Sequence, residues 1–139
     1  MNISKYLTLK EVINSQTAIR KGIDNTPEKE HLLNIKNTAK YYDIIYDQFK
    51  GNIRLSSFYR GKKLNTAVGG SKTSQHMTGE AMDIQGINGV TNAEIYRYIR
   101  DNMNFDQLIW EFGTSKEPAW VHVSFKTSGV NRKQVLKIG

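Results

Sequence analysis

The segment that decides the fold is residues 74–84, which read Ser-Gln-His-Met-Thr-Gly-Glu-Ala-Met-Asp-Ile. It carries an imidazole at His76 and a carboxylate at Asp83, and Gly79 between them has the conformational freedom that a turn requires. Asp83 stands between Met82 and Ile84, as in a short strand packed against a core. An acid in such a strand needs a compensating partner, and a bound cation is a suitable one. The segment therefore predicts a turn that leads into a strand, with a candidate metal ligand near each end.

A second segment, residues 120–125, supplies a third candidate ligand. It reads Trp-Val-His-Val-Ser-Phe, and strand periodicity places Trp120, His122 and Ser124 on the face opposite the apolar residues. Two histidines and one aspartate leave the fourth position of a tetrahedral zinc ion open for water, which is typical of catalytic sites. Spacing alone leaves alternatives open. Each histidine could be a hydrogen-bonded structural residue, and Asp83 could cap a turn or pair with a lysine.

Composition limits the kinds of site and partner. The 139 residues predict a single domain, 1–139, and the absence of cysteine restricts metal ligands to His, Asp and Glu. A formal net charge of +7 favours an anionic partner, but the basic residues are scattered, so a solvated surface explains the charge equally well. We expect no nucleic-acid partner, because no basic helix with interleaved aromatic residues is present. We expect no membrane partner either, because no stretch is long and apolar enough to span a bilayer.

Local patterns predict a mixture of helices and strands. Helices are predicted at residues 9–14, from Pro27 to a stop at Gly51, and from a cap at Thr91 to residue 102. In the long helix, Thr26 is the predicted N-cap, and His31 is predicted to be a surface histidine. Strands are predicted at residues 52–59, 81–85, 105–112 and 120–125, the last two as a hairpin, and residues 61–78 are predicted to be mostly loop. This order predicts an α+β fold.

The two ligand segments together resemble a known family. Ser-x-His-x-x-Gly-x-Ala-x-Asp at residues 74–83, followed by Trp-x-His-x-Ser at 120–124, is similar to the motif of the zinc D-Ala-D-Ala carboxypeptidases and of the related phage endolysins, which are L-alanyl-D-glutamate endopeptidases. Hedgehog signalling domains share that fold. Further similarity lies in residues 15–18 and 22–27, in residues 56–60, 64–65 and 69–71, and in residues 105–109. The resemblance therefore covers nearly the whole chain.

The resemblance implies a fold and a set of site residues. The fold would be hedgehog/D-Ala-D-Ala peptidase-like, with a small antiparallel sheet packed with helices. By the resemblance, His76, Asp83 and His122 bind Zn²⁺. Arg60 would contact the substrate or the developing oxyanion, and Ser74 and Gln75 would shape the substrate cleft through hydrogen bonds.

The general base is less clearly marked by the resemblance. In relatives it is an acid on or near the strand that precedes the last histidine. Glu111 ends that predicted strand, and Glu117 lies in the predicted hairpin loop. The branch with Glu-x-x-His would need an acid at position 119, which is Ala119 here. We expect Glu111 to be the catalytic base, and Glu117 is the alternative.

The activity implied is hydrolysis of peptidoglycan stem peptides by a zinc metallopeptidase. The bond could be the terminal D-Ala-D-Ala bond or the internal L-Ala-D-Glu bond, because both branches share the motifs at the metal. The alternative is a catalytically weak or inactive zinc-containing module that binds the cell wall. No signal peptide is recognised at the amino terminus. We therefore expect a monomer made in the cytoplasm that acts at the wall after release, as a phage endolysin does, or from the virion.

Overall fold

The structure is a computed structural model that describes residues 1–139. Five helices are present, α1 (Leu9–Ile13), α2 (Gln16–Lys21), α3 (Lys29–Gln48), α4 (Lys62–Ala67) and α5 (Asn92–Asn102). Five strands form one sheet, β1 (Ile53–Ser57), β2 (Ala81–Gly86), β3 (Gln107–Glu111), β4 (Trp120–Ser124) and β5 (Gln134–Ile138). A single 3-10 turn, Gln75–Met77, precedes β2. The predicted α+β class is confirmed.

The sheet is antiparallel through its first three pairings. The strand order is β1-β2-β4-β3-β5, and β1–β2, β2–β4 and β4–β3 are antiparallel, as the predicted hairpin requires. The edge strand β5, which we did not predict, pairs parallel with β3. Its residues are mostly exposed, so they lack the alternating burial pattern by which a strand is recognised in sequence. Backbone pairing with β3 is what makes this segment a strand.

One face of the sheet packs against α3 and α5 to form the hydrophobic core. A single cluster of 21 buried residues contains Met82 and Ile84 of β2 with Val121 and Val123 of β4. From the helices it includes residues such as Ile35, Ile45, Ile95 and Ile99. Because successive strand residues point to opposite faces, Asp83 and His122 emerge on the other side. The buried core thus holds the strands from one face while leaving the polar face open. None of the helices has the length and apolarity needed to cross a bilayer.

The long helix begins two residues later than predicted. Thr26 does not cap α3, because its backbone N–H and hydroxyl both bond to Asp24 Oδ1, at 2.9 and 2.6 Å. This Asx-type turn competes with capping. Glu28 occupies the N-cap position without a side-chain hydrogen bond. At the other end Gly51, with φ of 81°, terminates the helix as predicted by donating its N–H to Tyr46 O.

Residues 61–78 are more ordered than the predicted loop. They contain α4 and the 3-10 turn, and Leu64 and Asn65 of α4 are buried. Asn65 donates its side-chain N–H to Ser71 O at 2.9 Å, which holds the following loop against the helix. Asn and Thr have low helix propensity, so tertiary contacts rather than local preference make this helix. Helix α2, also absent from our prediction, is capped by Ser15 and ends at Gly22 in the left-handed conformation.

Candidate metal centre

The three predicted ligands come together on the open face of the sheet. Asp83 on β2 and His122 on β4 are directly paired across the two strands. His76 reaches the same point from the 3-10 turn before β2. One donor atom from each of the three residues lies within 4.8 Å of the others, and all three residues are buried. The turn at Gly79 therefore brings the two ends of the first motif together.

Hydrogen bonding decides which atoms point to the centre. His76 Nδ1 lies 2.6 Å from the backbone carbonyl of Phe58, which can only accept, so Nδ1 carries the proton and Nε2 is free to bind a metal. His76 Nε2 lies 3.3 Å from Asp83 Oδ2, and His122 Nδ1 lies 3.1 Å from Asp83 Oδ1. The two histidines thus face the carboxylate with different ring nitrogens.

The spacing of these donor atoms suits a zinc ion. Bonds of about 2.0–2.2 Å at tetrahedral angles separate neighbouring ligand atoms by about 3.4 Å. Each imidazole nitrogen lies at a similar distance, 3.3 or 3.1 Å, from one of the two oxygens of Asp83. Burial alone would raise the pKa of Asp83, but His76 and His122 outweigh it and hold that pKa well below its usual range. The group therefore offers one ionised carboxylate and two imidazole nitrogens, the donor set that zinc accepts.

The centre lies in the wall of a cavity of about 680 Å³. The other predicted site residues, Arg60, Ser74, Gln75 and Glu111, all line the same cavity. Glu111 of β3 is paired with Trp120 of β4, and its carboxylate accepts a hydrogen bond from the Trp120 indole N–H. Since His122 lies two residues after Trp120 on β4, Glu111 faces the cavity on the same side as the metal ligands.

Glu117 lies elsewhere. It does not line the cavity, and its Oε1 accepts a 2.7 Å hydrogen bond from the backbone N–H of Asn92, the first residue of α5. A carboxylate at that position satisfies a free donor of the helix end and interacts favourably with its positive dipole. This contact gives Glu117 a structural role at the start of α5.

Arg60 brings a cation to the cavity. Its backbone N–H donates to His76 O at 3.0 Å, so its position is tied to the turn that carries a ligand. No protein group accepts a hydrogen bond from its guanidinium, and its Nε is buried. Burial lowers the pKa of this guanidinium, while Asp83 and Glu111 act in the opposite direction. The side chain is therefore a cation with unused donors.

A comparison with protein families matches residues 5–124 to the family described as Peptidase M15. The chain belongs to the M15 peptidase family. A comparison with curated proteins gives no match. The family is one of zinc metallopeptidases, and the buried His76–Asp83–His122 group of this M15 peptidase could hold the metal.

Ser74 and Gln75 are engaged mainly with the protein itself. Ser74 Oγ accepts a 3.2 Å hydrogen bond from the backbone N–H of His76 and so caps the 3-10 turn. Gln75 Nε2 donates to Asp106 Oδ2 at 2.9 Å. Both side chains shape the cavity wall next to His76, and any direct contact with substrate stays a prediction.

The structure adds residues that sequence patterns did not single out. The cavity is also lined by Ile109 and Arg132, and by apolar residues at one end, among them Phe112, Trp120 and Ile138. Arg132 was noticeable only as part of a short basic pair with Lys133. Its partner, Asp106, is buried and lies just before β3. No local pattern links these two residues, which are 26 positions apart.

His31 lies apart from the metal centre, on α3. Its Nδ1 is 3.1 Å from the Tyr59 hydroxyl, and its Nε2 is 3.8 Å from a Glu28 carboxylate oxygen. Its side chain is largely covered by these neighbours, with 18% exposed, so it is less of a surface residue than we predicted. Glu28 and Glu30 are exposed beside it, and a group of exposed acids is common in proteins without a metal.

Proposed function

We propose that this M15 peptidase is a zinc enzyme that hydrolyses peptide bonds in peptidoglycan stem peptides, at either the D-Ala-D-Ala or the L-Ala-D-Glu bond. The observation that carries the proposal is the meeting of His76 Nε2, Asp83 and His122 Nδ1 in the wall of an open cavity that also contains Glu111. A structural zinc site would instead have four protein ligands and no access for substrate. When bound, the zinc ion would supply Lewis acidity toward a carbonyl group and a water molecule.

Glu111 has the role of general base in this proposal. One carboxylate oxygen, Oε2, is held by the Trp120 indole N–H, which orients the group and leaves Oε1 to take a proton from the attacking water. The same carboxyl group can then return that proton to the leaving amine. Trp120 therefore acts as a positioning residue for the base.

Arg60 is proposed to bind the oxygen on which negative charge develops. Its guanidinium is permanently charged, and a partly buried cation acts more strongly on a nearby charge than one in bulk water. Its backbone contact with His76 keeps it beside the metal ligands. Such preorganised donors stabilise the transition state without further reorganisation.

The charge of the protein bears on where it would act. A net charge of +7 suits a cell wall rich in phosphate and carboxylate groups and would attract the enzyme to its substrate. We propose that a monomer acts directly on the wall. We also propose that it is a phage-type endolysin, acting after release from the cell or from the virion.

Digestion of purified peptidoglycan tests the proposal, with Glu111→Gln beside the matched control Glu117→Gln. We expect zinc-loaded wild type to release new amino termini and Glu111→Gln to lose about 10²–10⁴-fold in kcat, because the base is gone while the ligands remain. Glu117→Gln should keep most of the activity and lose only some stability. Mass spectrometry of the fragments identifies the bond.

Three outcomes would change the assignment. Zinc and wall binding without cleavage would assign a binding module. Loss of activity in Glu117→Gln with a folded, zinc-loaded protein would move the base to Glu117. Purified protein that takes up no zinc would remove the basis of the whole proposal.

A further inference from the structure

Asp106 is a fully buried carboxylate that joins two parts of the cavity wall. Its oxygens accept hydrogen bonds from Gln75 Nε2 at 2.9 Å and from Arg132 Nε and a terminal guanidinium nitrogen at 2.9 and 2.8 Å. The backbone N–H of Arg132 adds a bond of 3.0 Å. Gln75 directly precedes the ligand His76, so Asp106 fixes Arg132 relative to the metal centre.

Arg132 has capacity left after this pairing. A guanidinium has five N–H donors, and two of its nitrogens are used by the Asp106 carboxylate, so N–H groups remain for another acceptor. The side chain is 50% exposed and lines the same cavity as His76, Asp83 and His122. Lys126 Nζ also lies 3.8 Å from Asp106. Two cations share one buried anion, which leaves the cluster with one surplus positive charge.

The cluster lies at one end of the cavity. On β3, Ile109 is paired with His122, Gln107 lies toward Asp106, and Glu111 lies toward the apolar end. Asp106 precedes Ile109 by three residues, about 10 Å of extended chain. A substrate whose scissile bond lies at the metal centre could place a carboxylate of the next residue, or of the one after it, within this distance of the metal.

We propose that Arg132, held in place by Asp106, is the specificity residue that binds a free carboxylate of the substrate on the leaving-group side of the scissile bond. The inference rests on the proposed peptidoglycan peptidase function. Planar guanidinium groups bind carboxylates with two parallel hydrogen bonds, and Asp106 preorganises the group for this contact. Asp106 acts through Arg132 and is a positioning residue.

The proposal has a defined consequence for substrate choice. In both candidate bonds the residue after the cleaved bond has a carboxyl group outside the chain of reacting atoms: the terminal carboxylate of D-Ala, or the carboxylate of D-Glu not used in the chain. Amidation keeps the shape of this group and removes its charge. The enzyme should therefore prefer free-acid stem peptides to amidated ones.

A pair of synthetic stem peptides tests this, identical except for a free acid or an amide on the residue after the identified bond. We expect wild type to favour the free acid by about tenfold in kcat/KM, mostly through KM. Arg132→Gln should bring the ratio of kcat/KM for the free acid to that for the amide close to one. Arg132→Lys should restore part of the preference, because it returns the charge without the two parallel N–H donors of a guanidinium. Asp106→Asn should raise KM for the free acid through misplacement of Arg132.

Arg100→Gln is the matched control, because Arg100 also pairs with a neighbouring aspartate, Asp101, but lies on α5 away from the cavity. It should leave the ratio unchanged. Binding of the same two peptides to Glu111→Gln, with and without Arg132→Gln, gives a measurement that does not depend on turnover.

The outcomes separate this inference from the proposed function. Equal cleavage of the two peptides by wild type, or a preference that survives in folded Arg132→Gln, overturns the role of Arg132 while hydrolysis stands. Absence of cleavage with any stem peptide overturns the proposed function. In that case selective binding of the free acid, lost in Arg132→Gln, would still support the carboxylate site, and equal binding would refute it.

Discussion

At the scale of single residues, hydrogen bonds decide the role of each polar group. His76 has its proton fixed on Nδ1 by the carbonyl of Phe58, so the ring faces the centre through Nε2. Glu111 and Glu117 are chemically identical, yet one lies in the cavity and the other binds the first N–H of α5. The sequence marked both glutamates as candidates, and only their surroundings distinguish them.

Asp106 gives a residue-scale prediction for the pH dependence of stability. Hydrogen bonds from Arg132 hold its pKa below the usual range, against the opposing effect of burial. A lowered pKa in the folded state stabilises the fold above the unfolded value of about 3.9, and this contribution is lost as pH falls further. We expect Asp106→Asn to cost about 2 kcal/mol in the free energy of unfolding at pH 7.

The difference between wild type and Asp106→Asn should shrink as pH falls below about 4, because the unfolded wild-type chain then takes up a proton on Asp106 while the folded state keeps this carboxylate ionised. Urea unfolding at pH 7, 5 and 3 measures it. Asp101→Asn is the control, since Asp101 pairs with Arg100 on the exposed surface, where such pairs contribute little. A difference that stays constant down to pH 3 would show that the ionised carboxylate is not what stabilises this cluster.

At the scale of elements, the long helix α3 supports the turn that carries His76. Thr38 donates its hydroxyl to Gly79 O, and Asn34 donates its amide N–H to Thr78 O, both at 2.9 Å. The sequence predicted a turn at Gly79 because a flexible residue separates two candidate ligands. It did not reveal that α3 lies against this turn, because the contact joins residues about forty positions apart.

Gly79 gives the element-scale prediction. Its φ is 83°, and a Cβ added there would lie 2.6 Å from Ile35 Cγ1 and 3.2 Å from His31 O of α3. Gly79→Ala should cost about 2–4 kcal/mol in unfolding free energy, from backbone strain together with overpacking. Gly69→Ala is matched, because Gly69 has a φ of 73° but open space around it, so it should cost only about 1 kcal/mol.

Urea unfolding of both variants measures these costs, and zinc content reports on the centre. We expect Gly79→Ala to retain less zinc than Gly69→Ala, because the added methyl group at position 79 displaces the turn that carries His76. Equal stability of the two variants would mean that α3 and the turn can move apart to accept the methyl group without a loss in unfolding free energy.

At the scale of the whole molecule, the proposed metal ties together parts of the chain that are distant in sequence. His76, Asp83 and His122 come from a turn and two strands of the sheet. A ligand that binds only the folded state stabilises it, by about 2.7 kcal/mol at a free concentration of one hundred times Kd. Asp83, between the buried residues Met82 and Ile84, depends most on a compensating cation.

Removal of the metal should therefore lower the melting temperature. We expect a chelator to lower the Tm of wild type by several degrees, and added zinc to restore it. The Tm of His122→Ala should respond much less to both treatments, since one ligand is missing. Differential scanning calorimetry measures the effect, and an unchanged wild-type Tm in chelator would argue against a zinc ion held by these three residues.

The sequence by itself determined the α+β class, most of the strands, and the three candidate ligands, because these depend on short-range patterns. Alternation along a strand sets which face His122 occupies, and an acid among apolar residues marks Asp83 as a special position. Short-range patterns did not predict the helix within residues 61–78 or the strand β5. Asn65 stabilises the first and pairing with β3 stabilises the second, and both contacts form only in the folded chain.

Only the tertiary structure decided which glutamate lies in the cavity and brought Asp106, Gln75 and Arg132 together. The physical reason is that a buried charge is stabilised by whichever partners the packed chain places around it, and here those partners are 26 and 31 positions away. The periodicity of apolar and polar residues depends on neighbours a few positions apart, so it does not predict contacts between residues this distant in sequence. The fold brings these segments together because β2, β4 and β3 pair side by side over a shared core.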